Sequence, residues 1–444
     1  MRVTQDWMSL KAIYTSTYLN LLSSPTIPDT HIASTIRAVM HEALINFQPG
    51  SRSPYVICRD YQRLASSIAM SVNAPPTTVV GDEGMSISFR EHTLSIPAWR
   101  TSLAKLATDV EQELDSLCGG IQLTIPPAVP DDWTNEIRGY SWTANDPNRF
   151  GLENDNPLLY RLLKDRTLGQ TINGTLLLNK PAMQTLLDQC NLVCEKIFLL
   201  VYFTPSASPR ISEIADYKYR NSTRGRNMFH HDHAVWFLNR RVKYESLLWK
   251  ESSIASKASP QVTKFLEKYF LLVRPLEKEL VYHLFENDDQ KRAYQLYSEY
   301  MWMDSGKKRT AKDLSRSLLS FMEGECGAKI GPRIYRQICV EIGRVFLGSE
   351  AAIEAEELDV LSSQMAHSAR MARSNYALEV GRLPGMPSDL LLRYGRISEL
   401  WWTVVGFKAG TPPLEPLEVR RKLAADTAVR HQEALRKLLA MVGE

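Results

Sequence analysis

Ala366-His367-Ser368-Ala369-Arg370-Met371-Ala372-Arg373-Ser374-Asn375-Tyr376-Ala377 is the stretch on which the reading of this chain turns. It holds an imidazole, a hydroxyl and a phenol, with Tyr376 nine residues after His367. On an unbroken helix nine residues rotate through about 900°, which sets the two side chains on opposite sides. Joint action therefore requires a bend near Arg373-Ser374-Asn375, with the tyrosine on a separate helix. Taken alone, Tyr376 reads better as a packing residue on an amphipathic helix. Its neighbours along the chain decide between the two.

Working back, Gly331-Pro332 opens a helix in which Ile334, Ile338, Ile342 and Val345 recur at helical spacing, while Arg333, Arg336 and Val340 fall on another face. Lys243 lies in an expected turn, Asn239 to Glu245, between expected strands Phe229–Leu238 and Ser246–Trp249. A turn lysine commonly serves only solvation. Arg210 and Glu213 stand three apart behind Pro205-Ser206-Ala207-Ser208-Pro209, so they share the first turn of a helix. By themselves they read better as a surface ion pair. As a set, two arginines, a lysine, a histidine and a tyrosine supply what phosphodiester cleavage needs. Guanidinium forks grip the non-bridging oxygens, a phenolic oxygen attacks phosphorus, and a cation protonates the leaving alkoxide.

In this order the residues resemble the catalytic core of the tyrosine recombinases, the phage-integrase family of DNA breaking-and-rejoining enzymes. The resemblance covers about residues 175 to 410. It gives Arg210, Lys243, Arg336, His367 and Tyr376 catalytic roles, with Glu213 and Arg333 supporting. The family's second box is His-x-x-Arg; here Arg333 stands at the histidine position. An arginine stays protonated and cannot act as a general base. The resemblance implies a 3′-phosphotyrosyl intermediate, no cofactor and no metal. It also implies double-stranded DNA as partner and a homo-oligomer, a dimer on each site and a tetramer in synapsis. More loosely, the chain is similar in style to recombinase-like segments of fungal mobile-element proteins. The nucleus is then the expected compartment for a eukaryotic source, the cytoplasm otherwise. A domesticated, catalytically impaired DNA-binding protein on the same fold is the alternative.

Length and composition agree with two domains and appendages: 444 residues, 23% charged and 44% hydrophobic. The fold class expected is α+β, mainly α. An N-terminal helical domain (residues 1–174, with a Trp/Pro-rich segment) would clamp DNA opposite a catalytic domain (175–410) carrying a small antiparallel sheet, followed by a C-terminal helix (411–444). No apolar run approaches the roughly 18 residues of a membrane helix, and Met1 to Trp7 lack a signal peptide's apolar region. Six cysteines form no disulfide framework. His230-His231-Asp232-His233 invites a metal, but neighbours on a strand point to opposite faces and no second ligand pair stands by.

The net charge of +3 is nearly neutral; its distribution says more. Between Arg210 and Lys250, Arg210, Lys218, Arg220, Arg224, Arg226, Arg240, Arg241, Lys243 and Lys250 outnumber Glu213, Asp216, Asp232 and Glu245. A second basic cluster is Lys307-Lys308-Arg309. Arg220, Arg224, Arg226, Arg240, Arg241, Lys307, Lys308 and Arg309 are the expected DNA contacts, although solvated loops show such excess too.

Overall fold

Asn179-Lys180-Pro181 starts the helix around which the rest is built. In the computed structural model the Asn179 side chain accepts from the Ala182 N–H at 3.2 Å, and Pro181 occupies the first turn, where no N–H is missed. The structure describes residues 78–239, 254–347 and 388–427, apart from 127–128, 130, 145–146, 173–174 and 206–208, together with isolated positions at 34, 38, 41, 60, 61, 64 and 432. The chain divides into two compact units, Met1–Thr77 with Lys243–Lys250 and Thr78–Val242 with Glu251–Glu444. The second is the one described. The domain start expected near residue 175 lies inside it, in a core that includes side chains from both sides of that point.

The architecture is α+β and mainly helical, with small antiparallel sheets. Strands β1 (Thr78–Gly81), β2 (Ser86–Phe89) and β3 (His92–Ser95) form the first sheet. Ser95 caps α1 (Ile96–Cys118), which ends at Gly119, where φ of 52° favours glycine. Leu103, Leu106, Val110 and Leu114 make its buried stripe, and Leu117, at the same spacing, is partly buried at its end. After α2 (Pro157–Lys164), strands β4 (Gly169–Ile172) and β5 (Thr175–Leu178) pair antiparallel. Next comes α3 (Lys180–Phe203), in which every side chain from Ile197 to Phe203 is buried. A helix apolar on all sides there belongs in a core. It packs against α1, the later α5 (Pro260–Lys268), α6 (Arg274–Leu284) and α8 (Ala311–Gly324). Among the described residues no helix is long and apolar enough to cross a membrane.

The second three-stranded sheet corrects one expectation. Phe229–Leu238 is not a single strand but a hairpin, β6 (Met228–His231) against β7 (Ala234–Asn239), folded at Asp232-His233. Both turn residues have positive φ, 48° and 56°. Asp and His tolerate that region better than most non-glycine residues, and a turn of this hand matches the twist of the flanking strands. β8 (Ile254–Lys257) pairs with β7 on the other side. The expected strand Ser246–Trp249 lies outside the described residues. Helix α10 (Ser388–Val405) lies on this sheet. A Cβ at Gly395 would come within 3.0 Å of the Trp236 ring, and Trp402 Nε1 donates to the Lys257 carbonyl at 3.3 Å.

Between α5 and α6 the helix widens into one π turn, Tyr269–Val273, all buried. The extra residue aims Arg274 inward. Arg274 and Glu277 are almost wholly enclosed and paired at 3.0 Å. α6 then turns into α7 (Asn287–Glu299), followed by the two-residue strands β9 (Met303–Asp304) and β10 (Lys307–Lys308). α8 carries a capping box of Thr310 and Asp313. In α9 (Pro332–Leu347) Ile338 and Ile342 are buried as their spacing suggests. Tyr335 is fully buried too, while Ile334 and Val345 sit at the margin.

Removing one partner of the buried pair is the sharpest test of this core. Glu277→Leu should lower unfolding stability by roughly 3 to 5 kcal/mol, because it strands Arg274 unpaired. The double variant Arg274→Leu/Glu277→Leu should recover much of that loss. Urea midpoints of the three proteins check it, and equal losses in single and double variants would count against an ion pair.

Candidate functional site

Arg210 is the N-cap of a one-turn helix, α4 (Ile211–Ile214), and Glu213 is its third residue. Glu213 accepts three bonds: from the Arg210 backbone N–H at 3.2 Å, from Arg210 Nη1 at 2.8 Å and from Asn239 Nδ2 at 2.8 Å. One carboxylate thereby fixes the arginine and ties it to the last residue of β7. The Arg210 side chain keeps 41% of its surface exposed while Glu213 keeps 10%. A guanidinium steadied from behind, with N–H groups still facing water, suits a phosphate oxygen. The expected placement of Arg210 and Glu213 in a first turn is what the structure shows. Asn239 was missed, since nothing local marks a strand-end asparagine as the partner of a carboxylate far upstream.

Arg336 projects from α9 half-buried, with Arg333 exposed one turn earlier. Among the described residues neither has an ion-pair partner. Tyr335, between them, packs on Tyr202 and Phe203 with ring centroids 5.8 and 4.8 Å apart. Tyr202 also lines a small cavity with Pro205, Pro209 and Ile214. The segments carrying Arg210 and Arg336 are thus both seated at the C-terminal end of α3. Lys243, His367 and Tyr376, like Arg240 and Arg241, lie outside the described residues.

Two expected DNA contacts are corrected. Arg226 is fully buried; it pairs with Asp131, donates to the Asp132 carbonyl at 3.1 Å, and lies 4.7 Å from the Tyr140 and 4.4 Å from the Phe229 ring centre. Arg309 is buried with Glu195 at 2.8 Å and Asp304 at 3.4 Å, and donates to the Met303 and Asn191 carbonyls. Both hold the fold together and cannot reach a nucleic acid from there. Lys308 is half-buried, bound to Asp216 at 2.6 Å and placed over Tyr300. Lys307 and Arg224 are exposed, and Arg220 is half-buried.

The chain matches no protein-family model, no curated protein and no solved structure.

The histidine run separates by environment. His230 Nε2 meets Glu267 Oε1 at 2.9 Å, both side chains nearly enclosed. His231 is pushed down by burial, and its carbonyl accepts from Trp236 Nε1. Among the described residues no group of histidine, cysteine and carboxylate side chains could hold a metal ion. The cysteines described are buried, and burial pushes the Cys118 thiol up to about 12.

Burial separates the basic residues by role, and substitution reads it out. Arg226→Gln should cost roughly 3 to 5 kcal/mol by leaving Asp131 buried without its cation. Arg224→Gln should leave the unfolding midpoint within about 0.5 kcal/mol of the parent, as surface changes do. Chemical denaturation of both variants checks the contrast, and equal midpoints would refute the assignment of Arg226.

Proposed function

We propose that this chain is a tyrosine-type DNA strand transferase, a site-specific recombinase or integrase serving a mobile element. The observation that carries the reading is the Arg210–Glu213–Asn239 arrangement, which holds a solvent-facing guanidinium at the head of a helix. Arg336 projects from α9, a helix that packs at the same end of α3. In the reaction, Tyr376 Oη attacks phosphorus and the 5′ oxygen leaves. The 3′ phosphate is then joined to the tyrosine, so the bond's energy is kept for rejoining. Arg210 and Arg336 hold the equatorial oxygens and His367 donates a hydrogen bond to one of them. Lys243 hands its proton to the leaving 5′ oxygen. Preorganised charge of this kind is usually the largest catalytic contribution, with one donor worth on the order of 10² to 10³ in rate. The helical segment before the catalytic region would close a clamp on duplex DNA. Dimers would occupy each site and tetramers form in synapsis, in the nucleus for a eukaryotic source.

Arg333 favours a second reading. It stands exposed where the family has a histidine, and a guanidinium cannot take the proton from Tyr376. A protein that grips DNA on the same fold without cutting it would look the same there. A nicked suicide substrate separates the two. The parent protein should become covalently attached to it, and Tyr376→Phe should abolish the adduct while leaving duplex affinity within about twofold, since only one oxygen is removed. No adduct from the parent would leave the non-cutting reading. An undiminished adduct from the Phe variant would assign the attack to another residue.

The C-terminal segment supports an assembly role. Its start is docked on its own unit: Arg100 Nη2 donates to the Leu414 carbonyl at 2.6 Å, Pro416 is buried, and Lys422 meets Glu83 at 2.8 Å. From Arg421 to Thr427 every side chain is exposed, Leu423 at 54%. The notional apolar face of residues 417 to 442 would be buried on a neighbouring protomer, as the resemblance implies. Truncation after Lys422, which keeps the docked start, should lower the mass of DNA-bound complexes in light scattering without shifting the unfolding midpoint. Unchanged complexes would sink the assembly role.

A further inference from the structure

A cleft of about 970 Å³ lies between α1, α5, residues 122–125 and the turn at residues 406–411, a size at the upper end of ligand sites. Leu114, Phe265 and Phe407 give it a buried apolar lining. Of the charged side chains that border it, Asp115 is bound to Lys268, and Glu267 meets His230 at 2.9 Å. Lys264 on α5, Lys408 in the turn after α10 and Glu111 on α1 are exposed and have no ion-pair partner among the described residues. One border of the cleft is main chain. Residues 121–126 form no helix, strand or turn, and Pro126 closes the run. From Gln122 to Ile125 the one main-chain hydrogen bond among the described residues goes from the Thr124 N–H to the Phe150 carbonyl, at 2.9 Å. The N–H groups of Gln122, Leu123 and Ile125 and the carbonyls of all four residues have no partner among the described residues. Gln122 and Leu123 are consecutive and both line the cleft, so the main chain between them borders it. Thr124 and Ile125 suit a strand, and residues 121–125 carry neither a charge nor a proline, the usual guards of an open edge.

We infer that this cleft binds an extended, acidic segment of a partner protein, which adds to residues 122–125 as a strand. The unpaired N–H and carbonyl groups take main-chain bonds from the incoming segment and fix its register. Its alternate side chains enter the apolar lining, and its carboxylates meet Lys264 and Lys408. Two unpaired ammonium groups against the single unpaired carboxylate of Glu111 set the sign of the partner's charge. A nucleic acid fits less well, because Glu111, Asp115 and Glu267 bring three carboxylates to the same cleft and repel a polyphosphate. The cleft includes none of the residues proposed for strand transfer.

The test uses the full-length protein and a short fluorescein-labelled peptide alternating valine and aspartate, read by fluorescence anisotropy. The peptide should bind the parent, and Lys264→Glu/Lys408→Glu should weaken binding at least about tenfold, with circular dichroism showing that the variant is folded. The variant should instead prefer a peptide alternating valine and lysine. N-methylation of the peptide's main-chain nitrogens leaves every side chain in place but removes the donors of a strand. It should weaken binding to the parent at least about tenfold. No binding at about 1 mM peptide, or equal binding by parent and variant, overturns the site. Equal binding of the N-methylated peptide overturns strand addition. Displacement of the peptide by a DNA duplex of arbitrary sequence assigns the cleft to nucleic acid and overturns the protein partner. None of these readouts requires cleavage, so a missing covalent adduct fails separately.

Discussion

Arg274 is an ion placed where water cannot follow, and much of the second unit is arranged around that fact. Enclosing a guanidinium costs several kcal/mol, and an unpaired one would not stay. Four rings face it at 5.2 to 5.7 Å, those of Tyr219, Tyr269, Phe270 and Tyr297. Its N–H groups reach the Tyr300 and Met301 carbonyls at 3.2 and 2.6 Å. Burial opposes the charge, but Glu277 and the phenols and thiol around it outweigh burial and hold the guanidinium above its ordinary value. Glu277 in turn accepts from Tyr269 at 2.8 Å, and Tyr269 also donates to the Cys190 carbonyl on α3. One charge thus joins α3, the π turn, α6 and the segment after α7. None of these can move without breaking a bond that has no water to replace it.

That constraint reaches the candidate site in two steps. Met301, whose carbonyl is fixed by Arg274, precedes Trp302, and Trp302 Nε1 donates to the Ile214 carbonyl at 2.7 Å. Ile214 is the last residue of the single turn that begins at Arg210. A helix of one turn has too few internal bonds to hold itself, so its orientation is set by contacts from outside. Trp302 supplies one from below and Asn239, through Glu213, supplies the other from the sheet. Arg210 is therefore positioned by Trp302 and Asn239, both well beyond its own helix, although its carboxylate partner is a near neighbour.

What the sequence revealed follows the same division. Capping and helical periodicity are local, so the Arg210–Glu213 pair in the first turn behind Pro209 was legible. The hairpin within Phe229–Leu238 was not, because Asp232-His233 lacks the glycine that normally marks such a turn. Apolar spacing in α9 found Ile338 and Ile342 but favoured Ile334 and Val345 over Tyr335. A tyrosine is amphipathic by composition, and only its packing on Tyr202 and Phe203 makes it core. The nearest acids to Arg226 and Arg309, Asp131 and Glu195, are distant in sequence, so a count of local charge read both as surface.

The burial of Arg226 and Arg309 changes what the basic stretch means. Between Arg210 and Asn239, Arg226 is neutralised by Asp131 and Lys218 by Glu299, both inside the protein. Local excess of Lys and Arg is thus partly a demand of the interior for long, hydrogen-bonding cations that can also stack on rings. Tyr140 and Phe229 around Arg226, and Tyr300 between Lys218 and Lys308, are fitted to that use. The positive charge still turned toward solvent in this stretch comes from Arg210, Arg220 and Arg224. A field made by a few fixed guanidinium groups differs from that of a diffuse basic surface. It acts over about a Debye length, roughly 8 Å at physiological salt, so it discriminates by where a phosphate can be placed more than by how many phosphates are near.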